Sequence, residues 1–362
     1  MKKHIKRFSS IFFFLALSAP VFSLAASGGE ETQKKKTISK SYTVTAEDKL
    51  EIDNSFGNVA VSTWDKNEIS VDIEIVANAS TEQKAQDIMD EINVKEVQSG
   101  HIISYKTKVG EINNGNNKHR SGDNERAFYI DYVIHMPAAN RLQLSNSFGK
   151  TTLPDFAGEV NLNSKFGSLT TGKLGNVDAI NVEFGKVYLA GVNNGRITLK
   201  FNKESKIGMV SGTVKITSEF SQNVQFNVSD NISDLMLSES YSGIRMIISK
   251  TLSADFNIHT SFGNFHNDSE FRIREEKEDQ SDYGPHFDKD FTGQAGDGKA
   301  KIKIKSSFGS VRLSHTSSGS VSRDKDSDDD QGDHKNKQKH KDKDKDKDND
   351  NDKDEDNEVT RL

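Results

Sequence analysis

Asp178 and Glu183, five residues apart, are of the residue type that cleaves or eliminates across a glycosidic bond. Such chemistry needs paired carboxylates, often with calcium and basic groups beside them. Around this pair the outward positions are instead Asn161, Asn163, Lys165, Ser168 and Thr170, so a solvated pair accounts for them. His101, His135, His259 and His266 are scattered singly. His259 and His266 flank one repeat, yet a metal centre needs more ligands and a supporting shell, and solvated strand residues are the expectation. The series Asp324, Asp326, Asp328 and Asp330 hints at a calcium loop. Such a loop wants Gly sixth and Glu twelfth, and counting from Asp326 puts Gln331 and Lys337 there. No nucleophile elbow, zinc-protease helix, phosphate loop or dinucleotide fingerprint occurs. There is no cysteine, which removes disulfides, thiolate metal sites and thiol nucleophiles. No catalytic, cofactor-binding or metal-binding residue is assigned, no cofactor is expected, and the chain is read as a non-enzyme. Individual binding residues stay unassigned.

The elements that would carry any site repeat one phrase: an aliphatic residue, a small or polar residue two further on, then Phe-Gly. It occurs as Ile52…Phe56-Gly57, Leu144…Phe148-Gly149, Leu162…Phe166-Gly167, Ile180…Phe184-Gly185, Ile258…Phe262-Gly263 and Ile304…Phe308-Gly309. Degenerate copies are Ile197…Phe201-Asn202, Ile216…Phe220-Ser221 and Leu237…Tyr241-Ser242. From Phe148 to Phe262 the aromatics are 18, 18, 17, 19, 21 and 21 residues apart, a period typical of coiled β architectures.

Period-two alternation puts the slots six, four and two before the aromatic, and the aromatic itself, on one strand face. Aliphatic and aromatic ladders along an interior are therefore expected. Phe166→Ala should then cost about 3–5 kcal/mol. The slot two before the aromatic holds Asn54, Asn146, Ser164, Ser218, Thr260 and Ser306, an inward hydroxyl and amide ladder that Val182, Leu199 and Glu239 interrupt. Gly after the aromatic predicts a corner at positive φ. Asn202, Ser221 and Ser242 mark a tolerant corner, since Asn visits the same region.

The ends differ in kind. Lys2, Lys3, Lys6 and Arg7 precede the apolar run Ile11–Leu17, and Ser23-Leu24-Ala25 offers a cleavage site. This predicts a signal peptide over 1–25 and a charged linker over 26–40. The apolar run is short of the roughly 20 residues of a spanning helix. From Arg323 to Leu362 the chain carries 11 basic and 16 acidic residues, most of its formal charge of −6. A disordered tail over 316–362 is expected. The remainder is near neutral and gives no argument for nucleic acid.

The domain between them is placed at 41–315. An excursion over 78–137 breaks the repeat: Ser80 as N-cap, a short helix through about Ile92, strands near Val94–Val97 and Ile102–Tyr105, and a polar loop from Gly110 to Asn124. A polar insertion over 268–300 precedes a last repeat at Ile302–Leu313 and stands where it would protect an exposed sheet edge.

The predicted fold is all-β: a right-handed parallel β-solenoid of about 7–9 short rungs, with one small α/β excursion and the charged tail. An antiparallel sandwich is the rival, because its turn signals look similar. The run Asn58-Val59-Ala60-Val61-Ser62-Thr63-Trp64-Asp65-Lys66-Asn67-Glu68-Ile69, with the later Ser-Phe-Gly repeats, resembles the bacterial envelope family labelled "putative adhesin". The resemblance spans about Ser41 to Ser314. It implies a non-enzymatic, exported β-solenoid of the cell envelope, and it does not extend to the charged tail.

Three roles follow. The first is adhesin-like binding or a structural role toward an envelope glycan or other surface polymer, by many weak sites along a rod. The second is a periplasmic sensory or regulatory partner that binds an envelope protein through the excursion. The third is self-association through open ends. A polysaccharide-active enzyme ranks below these. Location is the periplasm or the cell surface, with no spanning segment once the signal is removed.

Overall fold

The computed structural model describes residues 32–110, 128–276 and 287–316. The expected signal peptide, nearly all of the Gly110–Asn124 loop and the charged tail lie outside the described residues. All-β is the result: the described residues form 21 strands in one large, mostly parallel sheet and a single short helix. Alternation dictates it, as in Lys49–Ser55, where Leu50, Ile52 and Asn54 are buried and the residues between are half-buried.

The aliphatic slots stand in parallel register from repeat to repeat. Ile52 pairs with Leu144, then Leu162, Ile180, Ile197, Ile216 and Leu237 in turn. All are buried, each contributing about 1.5–3 kcal/mol relative to exposure. The core is therefore columnar, with like residues resting on like. This parallel register disposes of the antiparallel sandwich.

The first end is closed by antiparallel additions. Thr32–Thr43 pairs along the whole of Glu68–Ala79, so the charged linker expected over 26–40 is a strand from Thr32 onward. Ile38 and Tyr42 pack against the core, an alternation that the surrounding lysines obscure. In the excursion the helix runs Glu82–Asp90 and buries Ala85, Ile88 and Met89. Its N-cap is Thr81, not Ser80: the Thr81 hydroxyl accepts from the Lys84 N–H at 3.3 Å. The hairpin Ile92–Ser99/Ile102–Val109 lays its second strand parallel to Lys49–Ser55. Phe128–Met136 runs parallel to Val59–Thr63 and antiparallel to Glu68–Ala79. The excursion thus covers the first repeat, as its position in the sequence implied.

At the other end, chain order and spatial order part. Ala300–Ser307 inserts between Val224–Ser240 and Ala254–Ser261, with Leu237 against Ile304 and Ile304 against Ile258. Ser310–Ser314 inserts likewise between Gly243–Ile248 and Asn264–Asp268. The Ile302–Leu313 repeat is therefore internal to the stack, not its final rung. The outermost repeat is that of Phe262, and Asp288–Ala295 from the polar insertion covers its edge antiparallel. The insertion thus stands against the Phe262 repeat and not beside the repeat at Ile302–Leu313.

The corner reverses the expectation for Phe-Gly. Every repeat aromatic from Phe56 to Phe308 has φ between 50° and 65°, while none of the glycines that follow them is at positive φ. The left-handed turn at the aromatic breaks period-two parity: the ring swings outward and the next residue points in. Glycine is required there by close approach instead. A Cβ on Gly149 would lie 1.6 Å from the carbonyl oxygen of Gly57, and one on Gly167 1.9 Å from that of Gly149. Asn202, Ser221 and Ser242 occupy the same slot with buried side chains, so their tolerance is a matter of inward space.

Candidate functional site

The outward aromatics form one stack. Phe56, Phe148, Phe166, Phe184, Phe201, Phe220, Tyr241, Phe308, Phe262 and Phe287 follow one another with ring centroids 4.5–5.2 Å apart and planes within 16°. The rings from Phe148 onward are 38–53 % exposed. The interior aromatic ladder expected from parity is therefore an exterior one. Its pitch is the inter-strand spacing of about 4.8 Å, so the backbone ladder itself holds the rings in contact. Nine steps give a stripe about 43 Å long that presents ring edges to solvent, an apolar surface of the kind that marks interaction sites.

Polar rows run beside the stripe. The residue before the aromatic alternates in charge through the middle repeats: Lys165 bridges Glu183 at 3.1 Å, and Lys200 bridges Glu219 at 3.0 Å. Two residues further back, Asn181 donates to Asn163 at 2.8 Å, and Asn163 donates to Ser145 at 3.3 Å. Register thus repeats the ring edge at every strand, with charge beside it from Lys165 to Glu219, serine beside it in the other repeats, and mostly amide or hydroxyl two residues further back.

Inside, the polar residues of the column, Asn54, Asn146, Ser164, Ser218, Thr260 and Ser306, are all buried, and Glu239, read as an interruption, is buried among them. Asn54 donates to Asn146 at 3.2 Å and accepts from Thr107, which meets the Tyr132 hydroxyl at 2.8 Å. Burial pushes the Tyr132 phenol up to about 12. It raises Tyr105 and Tyr42 as well; these two share a hydrogen bond at 2.5 Å, and Tyr42 donates to Glu96. At the other end burial raises the Glu239 carboxyl above its ordinary range, against the Ser306 hydroxyl and Ser242 N–H that donate to it. Tyr132, Tyr105 and Glu239 are buried and hold the interior together, while Tyr42 and Glu96 stand at its margin.

The residues singled out for chemistry are drawn apart. Asp178 takes an ion pair from Arg196 at 2.8 Å and a hydrogen bond from Asn161, whereas Glu183 turns to Lys165. His259 meets Asp290 at 2.9 Å, and His266 stands in register with Arg312. His101 lies against Asp48 at 2.8 Å. His135 hydrogen-bonds Ser62, whose hydroxyl also donates to the Ile134 carbonyl, and Trp64 stacks on its ring at 5.2 Å. Among the described residues no group of three or more His, Asp and Glu is placed to hold a metal ion. Sequence reading missed the surface that is built, the outer stack, because parity alone sent the rings inward. The unbroken aromatic slot was its signal.

No family model matches the chain, and no curated protein matches it either. Among solved structures, a "putative adhesin" from Bacteroides fragilis is 12 % identical, covering 77 % of this chain and 97 % of its own, with a TM-score of 0.32. A "putative cell adhesion protein" from Clostridium sporogenes is 11 % identical over 78 % and 99 %, TM-score 0.25. A "putative lipid binding protein" from Parabacteroides distasonis is 12 % identical over 76 % and 96 %, TM-score 0.32. Superpositions at these scores carry no weight, and the functional reading rests on this chain's own residues.

Proposed function

We propose that the chain is an exported, non-catalytic binding protein of the cell envelope. Its parallel ladders are the turns of a right-handed β-solenoid, and its outer face holds a repeating surface polymer. The observation that carries this reading is the stack of ten in-register rings flanked by in-register amide, hydroxyl and charge rows. A surface that repeats one weak contact at every strand suits a ligand that also repeats, because linked contacts raise avidity without any strong single site. The basic, apolar and small-residue pattern at 1–25 supports export, and among the described residues no helix is long and apolar enough to cross a membrane.

Capture of insoluble envelope polymer by the mature chain tests the reading. Phe184→Ser alone should leave capture nearly intact. Phe148, Phe166, Phe184 and Phe201 changed together to Ser should abolish it. Equal loss from the single variant would contradict avidity.

The regulatory alternative draws support from Val97 and Ile102, exposed on the excursion hairpin. It predicts capture of an envelope protein that is lost when Gly110 to Asn124 is deleted; unchanged capture eliminates it. Protease shaving of intact cells, with a tag in that loop, separates surface exposure from periplasmic confinement.

A further inference from the structure

A second surface lies one register row away from the aliphatic core column. Two hollows open on it. One, of about 710 Å³, is lined by Arg272, Arg274, Lys301, Lys303, Asn257 and Thr292 among others. The other, of about 460 Å³, includes Arg196, Lys215, Asp234 and Met236. Register joins them: Arg196 pairs with Lys215, Lys215 with Met236, Met236 with Lys303, Lys303 with Asn257, Asn257 with Thr292 and Thr292 with Arg274. These residues follow one another across seven strands, so the two hollows lie along one trough-like row roughly 29 Å long.

Charge in the trough is mainly basic: Arg196, Lys215, Arg272, Arg274, Lys301 and Lys303 line it against Asp178, Asp234 and Asp255. Its central row carries Arg196, Lys215, Lys303 and Arg274 and no carboxylate, with Arg272 beside it. Arg196 is held by Asp178. Among the described residues Lys215, Lys303, Arg272 and Arg274 enter no ion pair. The acidic residues Asp234 and Asp255 lie two positions back, in register with Lys301 between them. Asn257 and Thr292 interleave the cations with an amide and a hydroxyl, the Thr292 hydroxyl donating to Glu276 at 2.9 Å and keeping its lone pairs as acceptors. A low concave strip in which one sign of charge predominates concentrates the opposite sign, and the Arg274 guanidinium suits a carboxylate or sulfate bidentately.

We propose that this trough binds a linear anionic polysaccharide. Acid groups of successive sugars meet Lys215, Lys303 and Arg274, and sugar hydroxyls meet Asn257 and Thr292. The proposal rests on the polymer-binding reading above only in taking a polymer as the ligand; it goes beyond it in placing that ligand on a second surface and naming its class. Single-stranded nucleic acid fits less well, because its sequence-tolerant binding uses aromatic platforms, and the only large apolar side chain in the central row is Met236.

The test titrates the mature full-length chain with polygalacturonate, neutral dextran and duplex DNA of matched charge. Beside it stands the triple variant Lys215→Gln, Lys303→Gln and Arg274→Gln. These side chains are exposed, so the unfolding midpoint should match wild type. Polygalacturonate should bind the wild type, weaken at least tenfold in the variant, and weaken from 0.1 to 1 M salt as the screening length falls from about 10 to 3 Å. Unchanged affinity in the variant, or DNA binding as tight as polygalacturonate, overturns the proposal. The two readings fail distinguishably. Uronate binding that survives the fourfold Phe→Ser change, while envelope-polymer capture is lost in the triple variant but not in the fourfold one, removes the aromatic stripe as the polymer site and keeps the trough. Uronate binding indifferent to the triple variant, with capture still dependent on the rings, removes the trough alone.

Discussion

The inner polar column and the outer aromatic stack are built from the same repeat, two residues apart, and follow opposite rules. The column accepts Asn, Ser, Thr, Val, Leu and Glu, all buried. The stack accepts only rings, although those rings are about half exposed. A buried slot can be filled in several ways if its polar atoms find partners. A stacked ring has fixed neighbours at a fixed pitch, and a non-aromatic member forfeits two contacts at once. In this molecule the exposed position is the restricted one.

The largest effect should come from the slot beside the ring, where inside and outside meet. Gly167→Ala puts a Cβ 1.9 Å from the Gly149 carbonyl oxygen and should destabilise by about 3 kcal/mol or more, since backbone has to move. Ser221→Ala, in the same slot, loses a hydroxyl that accepts from the Asn202 N–H at 3.2 Å and donates to the Glu219 carbonyl at 3.1 Å, about 1–2 kcal/mol. Urea unfolding of both variants checks the ranking; equal losses would erase the distinction between close approach and inward space.

Phe166→Ala comes next. The ring is 48 % exposed and stacks on Phe148 and Phe184, so the expected loss is about 1–3 kcal/mol, below that of a buried Phe. Phe166→Tyr should be nearly neutral. A loss of 4 kcal/mol on the order of a core deletion would return the ring to the interior.

Glu239 sharpens the comparison through pH. Burial holds its native carboxyl above the ordinary range, so the folded state keeps its proton where the unfolded chain has lost it. Its stability contribution is complete below the ordinary carboxylate range and is lost as pH rises through the raised native value. Glu239→Gln should flatten that fall and stabilise at pH 7. Unfolding midpoints across pH 4–8 read it, and an unchanged slope would mean that the carboxyl is ionised throughout. Smallest is Ser164→Ala. Ser164 Oγ is buried without a hydrogen-bond partner among the described residues, so its removal should be neutral or stabilising by up to about 1 kcal/mol. Destabilisation beyond that would show that the hydroxyl is satisfied.

Much of this was legible before any coordinates. Ile52, Leu144, Leu162 and their counterparts are buried where alternation put them, and Asn54, Asn146 and Ser306 point inward with them. The candidate surface was not legible. Rings at the parity of core residues read as core, and only the backbone turn at each ring reverses that. The trough was hidden for another reason: Lys215, Lys303 and Arg274 are far apart in sequence and meet only through register.

The sequence by itself determined the repeat, the all-β class and the inward aliphatic and polar columns, because strand alternation is local and the period recurs. Tertiary structure decided two things. It turned the rings outward, since the positive φ at each aromatic belongs to a corner packed against its neighbours. It also placed the Phe308 repeat between those of Tyr241 and Phe262. Every repeat presents nearly the same edge, so sequence order alone does not choose among them. The choice falls to the whole set of paired strands, including the antiparallel cover that Asp288–Ala295 lays over the Phe262 repeat.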